Sequence, residues 1–346
     1  MDIVLEIVDT FFFDRVYAEL FPLRPATGNS TYVNQIVELP RAQFLDPTEW
    51  AVKSSLPRDN VVREFISLFL IVWIFGFVLY SSVATCSYFL LFDKDTFNHP
   101  RFLKNQVRKE ITVAMGAMPI MSLLTVPWML AEIHGYSNLY WGLPKNGWKG
   151  LLLEYPAFIM FTDFGVYLIH RGLHHKSVYK TLHKPHHKWI MPTPFASHAF
   201  HPLDGYFQSL PYHIYPFLFP LNKLSYLFLF SFVNLWSVTI HDGEFLAAGV
   251  IINGAANHTI HHLYFNYNYG QFTTLWDRIG GSYRQPTPEM LDKHTRKSLA
   301  VWNKQISEME KIAEEINHEL NAEDFLANER ETHDMRTIPA ESKKLK

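Results

Sequence analysis

The chain has 346 residues, room for one large domain or two small ones, and its 31 basic residues nearly balance 33 acidic ones. A net charge of −2 gives no basic footprint for nucleic acid. The single cysteine, Cys86, excludes a disulfide framework and a thiolate metal site, and its place in an apolar run predicts a buried packing thiol.

Met1 to Phe21 carries Asp2, Glu6, Asp9 and Asp14 where a secretory signal would have a basic start and an apolar core. Its apolar residues recur at helical spacing, which predicts an interfacial or packed amphipathic helix. Asn29-Ser30-Thr31 is a glycosylation sequon. Phe65 to Phe92 is an uncharged run of 28 residues, longer than the roughly 20 that cross a bilayer. Ile111 to Ala131 is a second uncharged run, holding Pro119 and Pro127, which membrane helices tolerate. A third segment, Leu151 to Ile169, includes Glu154 and Asp163, and Gly205 to Ile240 reads as two short spans or a hairpin. Lys94, Arg101, Lys104, Arg108 and Lys109 crowd the first loop, whereas the second holds only Lys145 and Lys149. That asymmetry predicts a lumenal N-terminus and puts every histidine cluster on the cytosolic side.

After Tyr283 the chain is charged, and Leu299, Trp302, Ile306, Met309, Ala313, Ile316 and Leu320 form one helical stripe, expected to pack on the cytosolic cap. The final Lys343-Lys344-Leu345-Lys346 resembles the dilysine retrieval signal of endoplasmic reticulum membrane proteins. The expected fold is an all-α integral membrane protein. About four to five membrane helices, a short hairpin included, lie under a cytosolic helical cap that holds a histidine-rich site. Three regions follow: 1–60 lumenal or interfacial, 61–285 membrane-embedded, and 286–346 a cytosolic helical tail.

Thirteen of the 18 histidines fall between His170 and His262. Three clusters stand out: His170-Arg171-Gly172-Leu173-His174-His175, His183-Lys184-Pro185-His186-His187 and His258-Thr259-Ile260-His261-His262. Residues three or four apart share a helical face, so each cluster can aim several imidazoles at one place. Imidazole suits zinc, copper, iron and nickel, not magnesium or calcium. His170, His174, His183, His186, His187, His258, His261 and His262, with His241 where the hairpin ends, make nine candidate ligands. Four-coordinate zinc cannot use nine; two metals can. His241 stands alone, as ligand or as support beside one, and His175 falls off the face of His170 and His174. Asp163, Tyr167, His170 and His174 share a face, so Asp163 either accepts the outer N–H of a ligand imidazole or pairs with Arg171 or a neighbouring helix. His198 and His201 would raise the count to eleven, which favours a structural or supporting place for both, with ligation left open.

The order HRGLHH, HKPHH and HTIHH, interleaved with membrane spans, resembles the fatty acid hydroxylase and sterol desaturase superfamily. The stretches VYKTLHKPHHKWIMPTPFASHAFHPLDGYFQSLPYHIYP and HTIHHLYFNYNYGQFTTLWDRIGGSYRQP resemble the sterol C-5 desaturases within it. The resemblance implies two non-haem iron ions and molecular oxygen, with electrons from NADH through cytochrome b5 and its reductase. It implies a membrane-dissolved, episterol-like Δ7-sterol, given a 5,6 double bond on the route to ergosterol. The resemblance gives the family's ligand and catalytic places to eight of the cluster histidines: His170, His174, His183, His186, His187, His258, His261 and His262. No His-Pro-Gly-Gly element occurs, so the haem donor is expected to be a separate protein, docking on Lys176, Lys180, Lys184 and Lys188 if those lysines are not lipid-facing charge. Phe161, Phe164, Phe195, Phe200, Phe207 and Tyr212 are candidates to line the sterol path, and Thr193 to approach the substrate. Asn268, Tyr269 and Trp276 are expected to fix the segment after the third cluster, with Asp277 and Arg278 pairing across it. Rival readings are a di-iron hydroxylase, such as a sterol C-4 methyl oxidase, and a non-catalytic metal- or sterol-binding membrane protein.

Overall fold

The structure, a computed structural model, describes residues 1–23, 44–244 and 251–320. The Asn29 sequon and the lysine-rich end lie outside them. Helices α1 (Asp2–Val8) and α2 (Asp14–Leu20) are joined by one π turn, so the amphipathic segment is nearly a single rod. Arg63, at the start of α3 (Val61–Leu90), donates to Asp9 (2.8 Å) and Asp14 (2.7 Å) and pins that rod against the first span. Asn60 caps α3 by accepting from the Val62 and Arg63 amides.

Helices α3, α4 (Gln106–Ile133) and α5 (Gly147–Leu173) are each long and apolar enough to cross a membrane. Helix α3 starts four residues before its uncharged run and ends two residues inside it, whereas α4 and α5 extend past their apolar segments at both ends. Only 22% of the apolar window of α3 is buried inside the protein, against 39% for α4. Most of α3 therefore faces outward, where lipid is the solvent. Cys86 is on that outer face and exposed, not the buried packing thiol its apolar run suggested.

The apolar stretch after the second histidine cluster forms the expected hairpin, α6 (Pro202–Leu218) and α7 (Lys223–Thr239). Each has 17 residues, about 25 Å, short of a ~30 Å hydrocarbon core. A two-residue parallel pairing, Leu139–Tyr140 with Leu221–Asn222, ties the hairpin's turn to the loop before α5. Gly165 lets α5 meet α6 closely: a Cβ there would stand 2.6 Å from the Pro211 ring.

Helix α8 (Ala255–Tyr264) is buried along its whole length and carries the third histidine cluster. Over it packs α9 (Leu299–Leu320), with Met309 in one apolar cluster with Ile260, Leu263 and Tyr264; Trp302 on His99 (5.3 Å), an Arg284–Glu308 bond (2.7 Å) and an Arg101–Glu310 ion pair tie α9 to the flanking loops. Trp302 and Met309 of the apolar stripe are buried, but Leu299 is exposed because the helix starts beyond the surface that covers it.

Candidate metal centre

The histidine clusters meet at the end of the bundle away from α1 and α2. Two groups of ring nitrogens form, each within 4.8 Å of one another: His170, His174, His183, His187 and His261, then His186, His241, His258 and His262. The expectation that each cluster aims at one place is corrected. Successive helical residues turn by about 100°, so in His-x-x-His-His the outer pair diverges by only about 40° while the middle histidine points about 60° the other way. His183 and His187 thus serve the first group and His186 the second. The third cluster does the reverse, giving His258 and His262 to the second group and His261 to the first. His170 and His174 complete one group and His241 the other.

What holds each ring decides what its inner nitrogen offers. His170 Nδ1 donates to the Tyr269 carbonyl (2.9 Å), and His183 Nδ1 to Asp204 Oδ2 (2.7 Å). His241 Nδ1 donates to the Ser237 carbonyl (2.6 Å), and His261 Nδ1 to the Tyr267 carbonyl (2.7 Å). A neutral imidazole that gives its proton outward keeps a bare lone pair on Nε2. Yet Nε2 of His170 lies 3.0 Å from Nε2 of His183, and Nε2 of His241 lies 2.9 Å from that of His258. Facing lone pairs repel unless a cation stands between them, and nitrogens ~2.1 Å from one ion sit this close. His261 Nε2 is buried with no protein partner, as an ion's ligand would be. Burial first, then the neighbouring imidazoles, holds the pKa values of His186, His187, His258, His261 and His262 well below the ordinary histidine value. Burial brings His241 down to about 4. All are therefore neutral, the form that binds metal. The donor set is compatible with a non-haem iron site.

Four sequence candidates stand outside both groups. His175 is exposed and caps the following turn by accepting from the Ser177 amide. His201 accepts from the Leu203 amide as the N-cap of α6. His198 bonds Ser197 and Asn234. Asp163 accepts from the amides of Gln271, Phe272 and Thr273 and from the Thr273 hydroxyl, which occupies both its oxygens. It clamps the loop that follows Tyr269, one step removed from the imidazoles. A carboxylate that does meet a histidine of the two groups is Asp204, which the sequence analysis did not single out.

Other expectations also shift. Asp277 accepts from the Tyr269 and Gly270 amides and from Ser282, while Arg278 stacks on Tyr283 at 3.9 Å. Asn268, in the left-handed region at φ 57°, bonds the Asn257 and Arg284 carbonyls and so holds the turn after α8. Trp276 packs on Phe164 at 4.6 Å. Thr193 is buried against Glu110 and does not reach the cavity.

That cavity, about 370 Å³, lies between α3, α4, α6 and α7 and ends on His170, His186, His241 and His258. Of the six candidate aromatics only Phe200 and Tyr212 line it. Phe161, Phe164, Phe195 and Phe207 pack elsewhere, because a helical face, not ring type, decides which side chains reach inside.

Helical spans ending in two facing histidine groups define a membrane metalloenzyme scaffold, and the fatty acid hydroxylase family matches residues 155–282, the segment that holds both groups. A Delta(7)-sterol 5(6)-desaturase of Aspergillus fumigatus is 54% identical over 92% of this chain and 96% of its own. The enzyme of the same name from Eremothecium gossypii is 54% identical over 91% of this chain and 97% of its own. That of Candida glabrata is 49% identical, over 91% and 95%. No solved structure matches. The chain belongs to the Delta(7)-sterol 5(6)-desaturase family.

Proposed function

We propose that the chain is a sterol C-5 desaturase. It takes one hydrogen each from C-5 and C-6 of an episterol-like Δ7-sterol, giving a 5,7-diene on the route to ergosterol. The observation that carries this reading is the cavity, which ends on imidazoles of both groups. It follows α7 from Leu227 to His241, about 21 Å at 1.5 Å per residue, a shape suited to an elongated, apolar guest. Its volume, about 370 Å³, sits in the range of small-molecule pockets.

Nine histidines, His170, His174, His183, His187 and His261 with His186, His241, His258 and His262, would hold two iron ions. Iron bound there supplies the dioxygen chemistry that removing hydrogen from unactivated carbon requires, since no side chain is a strong enough base. The chain's own tasks are to fix each ring through its Nδ1 partner, to hold the sterol along α7 and to keep water out. The two substrate hydrogens, with two electrons and two protons from outside, account for reduction of dioxygen to two waters. Those electrons come from NADH through cytochrome b5 and its reductase, separate proteins in the endoplasmic reticulum membrane. In this reading the histidine groups and the charged tail 286–346 face the cytosol, residues 61–285 form the membrane-embedded part, and residues 1–60 lie on the lumenal side.

Deleting the gene from its host and profiling sterols by mass spectrometry tests the reading. Accumulated Δ7-sterols lacking the 5,6 double bond are expected; accumulated 4-methyl sterols would contradict it and favour a C-4 methyl oxidase.

A further inference from the structure

The rod formed by α1 and α2 is amphipathic in the wrong sense for a surface in water. All four acids in its first 14 residues have partners within the protein. Asp2 pairs with Lys223, and Glu6 accepts from the Phe44 and Leu45 amides (2.8 and 2.7 Å). Asp9 and Asp14 hold Arg63, and Arg58 brings a second cation to Asp14. The outward face instead carries Ile7, Phe11 and Phe12, which are 42%, 78% and 59% exposed. A helix against water shows the reverse, with charge outward and rings inward.

The spans fix the level at which the rod lies. Leu5 and Phe13 share an apolar cluster with Leu68 and Ile71 of α3 and with Val126 and Met129 of α4. At 1.5 Å per residue, Leu68 and Ile71 lie about 4 and 9 Å inside the uncharged run that starts at Phe65. Met129 and Val126 lie about 3 and 8 Å inside the run that ends at Ala131. Two helices thus give one answer: the rod packs just inside the apolar layer, at the depth where interfacial helices bury their apolar faces. Its outward row then changes from Ile7 and Phe11 to the exposed Arg15–Glu19 pair (2.8 Å), long side chains whose charged heads reach back to water.

We propose that the α1–α2 rod lies in the leaflet remote from the histidine groups, with Ile7, Phe11 and Phe12 set among lipid acyl chains. Lipid is the occupant of that face because α3, against which the rod packs, already meets it: only 22% of its apolar window is buried. Val4 lines the cavity and lies one turn from Ile7 on the same side of α1. The lipid-facing strip therefore runs on into the cavity wall, and the rod forms the cavity's lip on that side. The inference holds whatever reaction the chain catalyses.

The test uses the full chain in phosphatidylcholine nanodiscs, with a nitroxide on one cysteine at a time. Native Cys86, exposed on α3, is the lipid reference. The water reference is Glu49→Cys in a Cys86→Ser background, at a side chain 72% exposed. Phe11→Cys in the same background should match the Cys86 label: relative to Glu49→Cys, oxygen should relax it several-fold more than a water-soluble nickel chelate does. A Phe11 label relaxed by the chelate as strongly as the Glu49 label would overturn the proposal and put that face in water. A label shielded from both agents and broadened by a second nitroxide would overturn it too, because a second copy of the chain would then cover the face. If Phe11→Cys itself frees the rod, seen as proteolysis within residues 1–23, Ile7→Cys decides by the same comparison.

Discussion

Asp204 and Asp163 show how differently two buried carboxylates near a metal centre can act. Asp204 takes the Nδ1 proton of His183, so Asp204→Asn should lower metal affinity by roughly 10- to 100-fold, as loss of such outer partners commonly does. Asp163 instead gathers three backbone amides of the loop after Tyr269. Iron retained per chain through a chelator series would check the contrast: Asp204→Asn loses iron at lower chelator than Asp163→Asn. The imidazoles themselves were legible in the sequence as a count and a spacing. Their division between two groups was written there as well, in the opposite sense of a three- and a four-residue step, and it was missed because steps of three and of four count alike as one helical face. The Tyr269, Tyr267 and Ser237 carbonyls that aim His170, His261 and His241 have no sequence signature, because any residue supplies a carbonyl. The same division predicts that His186→Ala depletes one metal and His183→Ala the other. Mössbauer spectra of the two variants should each keep one signal, and a different one.

Element boundaries followed from solvent preference. Two uncharged runs located α3 and α4 and a largely apolar one α5, yet could not say which face each would show to lipid, and Cys86 fell on the outer one. Tertiary contact explains the rest. Arg63 is almost fully buried between Asp9 and Asp14; removing one partner of a buried ionic cluster costs on the order of 3–5 kcal/mol. Arg63→Ala should therefore free the α1–α2 rod, seen as faster proteolysis within residues 1–23, while wild-type protein stays protected. Gly165→Leu tests the α5–α6 crossing. It drives a side chain into Pro211 and should cost at least ~1–3 kcal/mol, read as a lower unfolding temperature in detergent. Asp163 and His170 lie on the same helix, so iron retention should fall with it.

At the scale of the whole molecule, one cavity joins the lipid-level helices to the metal centre. Gly76 on α3 lines it and has nothing within 4 Å of where a Cβ would stand. Gly76→Trp should fill that space and cut sterol turnover while leaving iron content intact, which separates access from metal binding. The resemblance implied a membrane-dissolved substrate and the spans put the histidines at one end, but the path between them depends on how four helices pack, and no local pattern encodes that. The central claim is that these histidines hold two redox-active ions, and metal analysis of the purified full chain tests it most directly. Two irons per chain are expected, one for each group of clustered nitrogens; zinc alone would contradict the account.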